Sequence, residues 1–124
     1  MKLHSILLYV PNVREVADWY AAHLGLEFIE NQEDGKFAML KSDSGSLLGI
    51  HYSPDAPASP GNIGLYFAVA DVDAQYEKMR AAGCEFRQEP RDEPWGSRMA
   101  TTRDPAGHWV GIESPVAKSV YNEH

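Results

Sequence analysis

The chain has 124 residues, of which 44% are hydrophobic, and this is enough for one domain with a core of its own. Its 18 acidic and 11 basic side chains give a formal net charge of −7, which argues against nucleic acid as a partner because phosphate binding needs clustered cations. The single cysteine, Cys84, excludes an internal disulfide and favours a reducing, cytoplasmic location.

The predicted elements of the first half are a strand, a helix and further strands. The apolar run from Ile6 to Val10 predicts the first strand and is too short for a membrane span or a signal peptide. The following helix is predicted to begin at Asn12, with Glu15 placed as in a capping box, and to end at Gly25. Strand-like runs bounded by turn residues follow, up to a proline-rich joint at Pro54 to Gly61.

The second half repeats this plan, with Asp71 as the cap of the second helix and Gly83 as its stop. Three blocks recur in the same order: Leu8 to Val13 with Phe67 to Val72, Gly25 to Phe28 with Gly83 to Phe86, and Leu48 to His51 with Val110 to Glu113. We therefore predict one α+β domain over residues 1–124, made of two tandem βαβββ modules, 1–56 and 61–115, and a C-terminal tail, 116–124. The strands are expected to form a curved mixed sheet, a cup, with the helices on its outer face.

Strand residues alternate between the two faces of a sheet, and this sorts them into two sets. One set is apolar and is expected to pack on the helices: Ile6, Leu8, Val10, Leu48, Ile50, Leu65, Phe67, Val69, Val110 and Ile112. The other set mixes hydroxyls, rings, an imidazole, a carboxylate and glycines, as expected for a ligand pocket: Ser5, Leu7, Tyr9, Gly49, His51, Ser53, Gly64, Tyr66, Ala68, Trp109, Gly111 and Glu113. A solvent-exposed outer face is the alternative.

Three glycines, Gly49, Gly64 and Gly111, lie on the mixed face. Glycine weakens a strand, so its repeated use needs a reason. One interpretation is that side chains are omitted to make room for a ligand. The other is that the glycines mark bulges or tight bends in a curved sheet.

The duplicated unit resembles the vicinal oxygen chelate superfamily, which contains glyoxalases, bleomycin-resistance proteins and dioxygenases. The resemblance covers nearly the whole chain. It is carried by the first strand and helix, ending in residues 19–26, and by residues 94–98 with 104–108, which read PWGSR and DPAGH. The second pair of segments is especially similar to the bleomycin-resistance branch, whose members work without a metal.

The resemblance implies where a divalent ion would be held in metal-dependent members, namely at one His, Glu or Gln in the first and last strand of each unit. In this chain those positions are Ser5, Gly49, Gly64 and Gly111, none of them a good ligand. His4 lies beside the first position but falls on the opposite face. The resemblance therefore implies no metal cofactor, provided that the strand register is counted correctly.

His51 and Glu113 keep an alternative open, because they are equivalent in the repeat and face the predicted cup. They could bind one divalent ion with a third ligand from elsewhere, or act as acid and base. They could also be polar residues at the rim. The remaining histidines, His23, His108 and His124, are interpreted as surface residues.

Aromatic rings favour a planar, partly cationic ligand that stacks and makes cation–π contacts. The candidate rings are those of Tyr9, Tyr66, Trp95 and Trp109, while Trp19 is expected to pack on its helix. Arg98 could hold an acidic group of the ligand, or pair with Asp92 or Glu93 at the surface.

These observations favour a binding protein that sequesters a small aromatic or cationic antibiotic or natural product without a metal. The candidate ligand-binding residues are Ser5, Leu7, Tyr9, Gly49, His51, Gly64, Tyr66, Trp95, Arg98, Trp109, Gly111 and Glu113. The alternative is a metal-dependent enzyme, a glyoxalase-like lyase, an epimerase or an extradiol dioxygenase, that uses His51 and Glu113. The resemblance also implies a homodimer, with an exchanged first strand as a variant form.

Overall fold

The computed structural model describes residues 1–56 and 62–116, so that most of the predicted C-terminal tail, His124 and most of the proline-rich joint lie outside the described residues. Its order of elements is βαβββ followed by βαβββ, which confirms the predicted α+β fold of two tandem modules. The elements are β1 (Ile6–Val10), α1 (Val13–Leu24), β2 (Glu27–Asn31), β3 (Phe37–Lys41), β4 (Leu47–Tyr52), β5 (Gly64–Ala68), α2 (Val72–Ala81), β6 (Phe86–Asp92), β7 (Ser97–Arg103) and β8 (Trp109–Pro115).

The eight strands are divided between two four-stranded mixed sheets of the same design. The first sheet has the order β1-β4-β3-β2 and the second has the order β5-β8-β7-β6. In each sheet the first strand runs parallel to the last, and the other pairs are antiparallel. The outer hairpin of each sheet also shifts register near its first residues, after Phe28 in β2 and after Phe86 in β6.

The backbone forms two compact units, which differ slightly from the two modules. One unit holds Met1–Pro60 together with Asp104–Ala106, and the other holds Gly61–Arg103 together with Gly107–His124. The three residues that change units form the turn between β7 and β8. None of the helices in the described part of the chain is long and apolar enough to cross a membrane.

Helix α1 covers the first sheet with one apolar stripe. Val13, Val16, Ala17 and Tyr20 are buried, and Gly25 ends the helix in the left-handed region at φ 69°. The predicted capping box at its start is wrong, because the side chain of Asn12 makes no cap hydrogen bond. The amide of Asn12 instead donates to Glu15 Oε1 at 2.7 Å and to the carbonyl of Pro105 at 3.5 Å.

Helix α2 covers the second sheet. The carboxylate of Asp71 accepts a 3.1 Å hydrogen bond from the backbone N–H of Ala74, which confirms Asp71 as the cap. Val72 and Met79 are buried, whereas Ala82, which follows the last residue of the helix, is exposed. Gly83 follows with a φ of 100°, in the region that favours glycine.

The β7–β8 turn contributes two buried polar side chains. The hydroxyl of Tyr20 on α1 donates a 2.6 Å hydrogen bond to Asp104 Oδ2, and the other carboxylate oxygen accepts from the N–H of Ala106 at 2.8 Å. Burial, followed by the negative charge of Asp104 and this hydrogen bond, raises the pKa of Tyr20 above its usual range. The prediction of a surface position for His108 is wrong, because the residue is 5% exposed.

Candidate functional site

The two sets of strand residues separate in the structure as their alternation predicts. Seven of the ten apolar residues are buried on the helix side: Leu8, Val10, Leu48, Ile50, Leu65, Val110 and Ile112. Phe67 and Val69 are half-buried, and Ile6 is exposed at the start of β1. The mixed set lies on the opposite face of each sheet, which we call the open face. The residues of the mixed set are thereby placed on surfaces that no helix of the same module covers.

On the open face of the first sheet, Leu7 pairs with Gly49 and Tyr9 pairs with His51 across the parallel strands. The imidazole of His51 lies among rings, 5.2 Å from the centroid of Tyr9 and 6.0 Å from that of Phe37. Its Nδ1 donates to the backbone carbonyl of Tyr52 at 2.9 Å, because a carbonyl can only accept. This face is therefore mainly apolar, with one imidazole.

On the open face of the second sheet, the ring of Tyr66 lies across two glycines. An ideal Cβ on Gly111 would stand 2.3 Å from Tyr66 Cδ2, and one on Gly64 would stand 2.7 Å from Tyr66 Cε1. No real side chain tolerates such distances, so the ring needs glycine at both positions. Tyr66 is nevertheless 51% exposed. One side of the Tyr66 ring thus packs against the backbone of Gly64 and Gly111, while about half of the residue is exposed to solvent.

This arrangement shows what surrounds the three glycines of the mixed face. Gly49, Gly64 and Gly111 have no positive φ, and the pairing of β1 with β4 and of β5 with β8 continues through them without a shift. They therefore mark no bulge. The omitted side chains make room for the protein's own residues, since a Cβ on Gly49 would stand 3.0 Å from Leu7 Cγ. The glycines shape the open faces by letting Leu7 and Tyr66 lie close to the sheet.

Beside Tyr66, the indole of Trp109 is covered by cations. Arg103, its partner across the β7–β8 hairpin, places its guanidinium carbon 3.9 Å from the centre of the indole. The guanidinium carbon of Arg87 on β6 lies 5.6 Å from the same centre. These are cation–π distances. The ring of Trp109 thus already contacts one arginine closely and has a second nearby, and its stacking on a ligand stays a prediction.

An open depression of about 690 Å³ adjoins these rings and lies wholly within the second unit. Its size is that of a small-molecule pocket. It is lined by two aromatic residues and by residues of β6 and β7: Tyr66, Trp109, Arg87, Gln88, Glu89, Pro90, Arg91 and Thr101. A smaller depression of about 470 Å³ in the first unit is lined in part by Phe37, His51 and Tyr52.

Arg98 lies away from this depression, on the helix side of β7. Its guanidinium donates two hydrogen bonds to Asp73 of α2, at 2.9 and 3.0 Å, and one to Asp92 at 3.1 Å. The surface ion pair with Asp92 is therefore present, and Asp73 is a partner that the sequence did not indicate. The bonds from Arg98 lower the pKa of Asp73, and both carboxylates raise the pKa of Arg98. Trp95, in the β6–β7 turn, is 47% exposed.

The positions at which the superfamily holds a metal do not fit a divalent ion. Ser5 precedes β1, and its hydroxyl lies 3.2 Å from His4 Nδ1. The other three positions are glycines, two of them beneath the ring of Tyr66. Among residues 1–56 and 62–116, no group of three or more His, Cys, Asp and Glu side chains could hold an ion. The use of His51 and Glu113 by a metal-dependent enzyme stays an untested alternative.

Two residues of the candidate site, Arg87 and Arg103, were missed in the sequence. The sequence could have indicated Arg103, because a turn centred on Asp104 to Gly107 places this residue opposite Trp109 in the hairpin. The sequence contains no comparable indication for Arg87, because β6 shifts register between Phe86 and Gln88 and again between Gln88 and Arg91. Counting along such a strand cannot tell which face a side chain occupies.

Comparison with known proteins agrees with this fold. The model of the Glyoxalase/Bleomycin resistance protein/Dioxygenase superfamily matches residues 2–112. Uncharacterized proteins of Mycobacterium bovis and Mycobacterium tuberculosis are each 26% identical over 83 residues, or 67% of this chain. The match covers 55% and 49% of those two proteins, so this chain spans about half the length of these relatives.

Solved structures share the fold at lower identity. A glyoxalase/dioxygenase from Nostoc punctiforme has a TM-score of 0.78 at 19% identity, with 92% of this chain and 90% of that chain covered. A glyoxalase/bleomycin resistance protein/dioxygenase from Nocardioides has a TM-score of 0.77 at 19% identity, with 96% and 87% covered. A lactoylglutathione lyase from Agrobacterium tumefaciens has a TM-score of 0.72 at 19% identity, with 91% and 92% covered.

Proposed function

Because the chain belongs to the Glyoxalase/Bleomycin resistance protein/Dioxygenase superfamily, we propose that it is a binding protein that captures a planar aromatic small molecule without a metal ion. The ligand occupies the open face of the second sheet, beside Tyr66. An antibiotic or a related natural product is the class of ligand that the superfamily's bleomycin-resistance members suggest. Capture is stoichiometric and leaves the ligand chemically unchanged.

One observation carries this proposal, the position of the Tyr66 ring. The ring is held against the backbone of Gly64 and Gly111 while the residue stays 51% exposed. Aromatic rings stack on each other in offset or edge-to-face arrangements that add to simple burial. A ring already fixed by its surroundings loses little conformational freedom when a ligand stacks on it. The adjoining depression of about 690 Å³ provides the space for the ligand.

The same ring argues for the absence of a metal. Two of the four positions that carry ligands in metal-dependent members lie under Tyr66, and a glycine there offers no donor atom. Capture of the ligand needs no metal ion, since aromatic contact and hydrogen bonds from the lining residues supply the binding energy. The homodimer and the cytoplasmic location remain part of the proposal as expectations from the sequence.

The proposal is tested by thermal unfolding of the freshly purified protein with a panel of planar aromatic compounds, combined with metal analysis of the same sample. A ligand at 100 times its Kd stabilises the folded protein by about 2.7 kcal/mol, which is a clear rise in Tm. We expect such a rise with at least one compound, the same rise after treatment with EDTA, and less than one divalent ion per chain.

The matched variants are Tyr66→Ala and Tyr9→Ala, which remove exposed tyrosines from the second and first sheet. The first should abolish the shift and the second should preserve it. A stoichiometric, chelator-sensitive metal that the ligand needs for binding would overturn the proposal, as would an undiminished shift in Tyr66→Ala.

A further inference from the structure

We infer that the planar ligand of the second sheet carries a hydrogen-bond donor at its edge, as an aromatic lactam does, and that Gln88 accepts this bond. The inference rests on the proposed function and adds the chemical class of the ligand. It starts from one row of residues that pair in turn across the four strands of this sheet: Tyr66, Gly111, Thr101 and Gln88.

Three members of this row line the depression of about 690 Å³: Tyr66, Thr101 and Gln88. The ring of Tyr66 lies over the fourth member, Gly111, on the strand next to Thr101. The Nε2 of Gln88 contacts the backbone carbonyl of Met99, which brings the amide of Gln88 from β6 to the side of β7. Neighbouring strands are about 5 Å apart. A ligand stacked on Tyr66 therefore extends its edge toward a hydroxyl and an amide.

The amide of Gln88 is held in one orientation. Its Nε2 donates to the backbone carbonyl of Met99 and to Glu93 Oε1, each at 3.3 Å. A carbonyl and an ionised carboxylate only accept, so the amide nitrogen and not the amide oxygen must face them. The side chain of Glu93 is 9% exposed and also accepts a 2.8 Å bond from Arg91, which fixes its position. The Oε1 of Gln88 is thereby fixed as well.

Both polar groups of the row have hydrogen-bonding capacity to spare. Within residues 1–56 and 62–116, nothing donates to Gln88 Oε1, and the hydroxyl of Thr101 makes no hydrogen bond. An amide oxygen only accepts, so it selects a donor on the ligand, whereas a hydroxyl can also donate to a carbonyl. A lactam offers an N–H and a carbonyl side by side. Its edge therefore complements Gln88 and Thr101 together.

The test compares 2-quinolone with coumarin, two neutral bicyclic compounds of the same shape that differ at one ring position. There 2-quinolone has an N–H donor beside its carbonyl, and coumarin has an oxygen, which can only accept. Their affinities are measured by isothermal titration calorimetry on the full chain. We expect 2-quinolone to bind about tenfold more tightly, because coumarin loses a hydrogen bond and places an oxygen against Gln88 Oε1.

Gln88→Met keeps the length of the side chain and removes the acceptor. It should lower the affinity for 2-quinolone about tenfold and leave the affinity for coumarin unchanged, so that the two compounds bind alike. Thr101→Val removes only the hydroxyl, which can donate to the carbonyl that both compounds share. It should therefore lower both affinities by the same factor.

Gln32→Met is the matched control. Gln32 lines the depression of the first unit, and its Nε2 also donates to a carboxylate, that of Glu30, at 3.3 Å. This substitution should change neither affinity. The two compounds are compared first on the wild type, so the test remains decisive even if Gln88→Met does not fold.

The outcomes separate this inference from the proposed function. If the two compounds bind equally and Tyr66→Ala removes the binding of both, the donor inference is wrong and the proposed function stands. The inference is also wrong if Gln88→Met weakens both compounds by the same factor, since Gln88 then only supports the sheet.

A lack of binding is equally informative. If neither compound binds at millimolar concentration while another planar compound does so through Tyr66, only the inference fails. If no planar compound binds, or if Tyr66→Ala leaves the binding of both compounds intact, the proposed function fails as well.

Discussion

Leu7 and Tyr66 are equivalent positions of the internal repeat, and each lies over a glycine of the neighbouring parallel strand. Leu7 pairs with Gly49, and Tyr66 pairs with Gly111. A Cβ at the glycine would stand 3.0 Å from Leu7 Cγ in the first sheet and 2.3 Å from Tyr66 Cδ2 in the second. Both modules thus place a large side chain against a glycine of the neighbouring strand. The large side chain is the aliphatic Leu7 in the first module and the phenol of Tyr66 in the second.

Gly111→Ala should be unfavourable only while Tyr66 is present. Alanine is acceptable to the backbone at this position, and replacing glycine within a strand gains about 0.5–1 kcal/mol. The new methyl group must, however, push the ring of Tyr66 aside. In a double-mutant cycle with Tyr66→Ala, measured by urea unfolding, we expect a coupling free energy of about 0.5–3 kcal/mol.

The matched control for this cycle is Gly49→Ala with Leu7→Ala. The methyl group of an alanine at position 49 would lie farther from Leu7 than one at position 111 would lie from Tyr66, and the leucine side chain is flexible. The coupling free energy of the Gly49 and Leu7 pair should therefore be smaller. Equal coupling in the two sheets, or none at Gly111, would contradict the packing of Tyr66 against this glycine.

Tyr20→Phe should destabilise the protein although it removes a single oxygen atom. Tyr20 is fully buried and Asp104 is 4% exposed, so the carboxylate loses a 2.6 Å donor that water cannot replace. The expected loss is about 1–3 kcal/mol in the free energy of unfolding. Tyr9→Phe, at an exposed tyrosine, is the control and should change the stability by less than about 0.5 kcal/mol.

The same pair predicts how stability depends on alkaline pH. Burial raises the pKa of Tyr20 in the folded protein, so the phenol stays protonated there while it ionises in the unfolded chain above its usual pKa of about 10. Stability is therefore unaffected by this group below pH 10 and falls as the pH rises further. The fall attributable to one proton is about 1.4 kcal/mol per pH unit.

Urea unfolding of the wild type and Tyr20→Phe between pH 9 and 11 checks this expectation. The variant should lose stability less steeply, so that the two curves approach each other as the pH rises. Parallel curves would mean that Tyr20 ionises equally in both states.

Arg98→Gln should lower the stability of the folded protein slightly at neutral pH and leave it unchanged in acid. The ion pairs of Arg98 with Asp73 and Asp92 lie at the surface, where such contacts contribute weakly. The guanidinium lowers the pKa of Asp73, so the stabilisation is present above the usual aspartate pKa and is lost as the pH falls through the lowered value. We expect a drop of a few degrees in Tm at pH 7, which disappears by about pH 2 and shrinks in high salt.

The oligomeric state is a further prediction. Strand β1 is an edge of the first sheet and exposes Ile6, Leu7 and Tyr9, an apolar surface that a second copy could cover. We expect a homodimer in size-exclusion chromatography with light scattering. Leu7→Asp should shift it to the monomer, and Ile29→Asp, an equally apolar exposed position on β2, should not. A monomer in the wild type at about 100 µM would contradict this expectation.

The fold could be predicted from the sequence because the internal repeat allowed each strand to be assigned twice, once in each module. The matched blocks placed Gly49 with Gly111 and His51 with Glu113, and the observed pairings have the same register in both sheets. Alternation then assigned the faces correctly for most residues. The capping box at Asn12 failed because its amide nitrogen donates to Glu15 and to the carbonyl of Pro105, while its amide oxygen has no hydrogen-bond partner among the described residues. The contact with Pro105 comes from far along the chain, and the local sequence carries no sign of it.

The candidate site was less accessible to sequence reasoning. A glycine on a strand shows that space is needed but not what fills it, and here the occupant is Tyr66, two positions along the same strand from Gly64. Trp109 was correctly placed on the open face, yet its contact with Arg103 changes what the ring can do. Side-chain packing over a face depends on rotamers and on neighbouring strands, which alternation does not encode.

The contribution of the β7–β8 turn to the first unit bears on whether the two halves can be separated. A fragment that ends before the second module would leave the hydroxyl of Tyr20 without the carboxylate of Asp104 inside an otherwise closed core. A buried hydroxyl without a partner is a cost that a small fragment can hardly offset. The first module is therefore not expected to reach, as a separate fragment, the stability that it has with the β7–β8 turn in place.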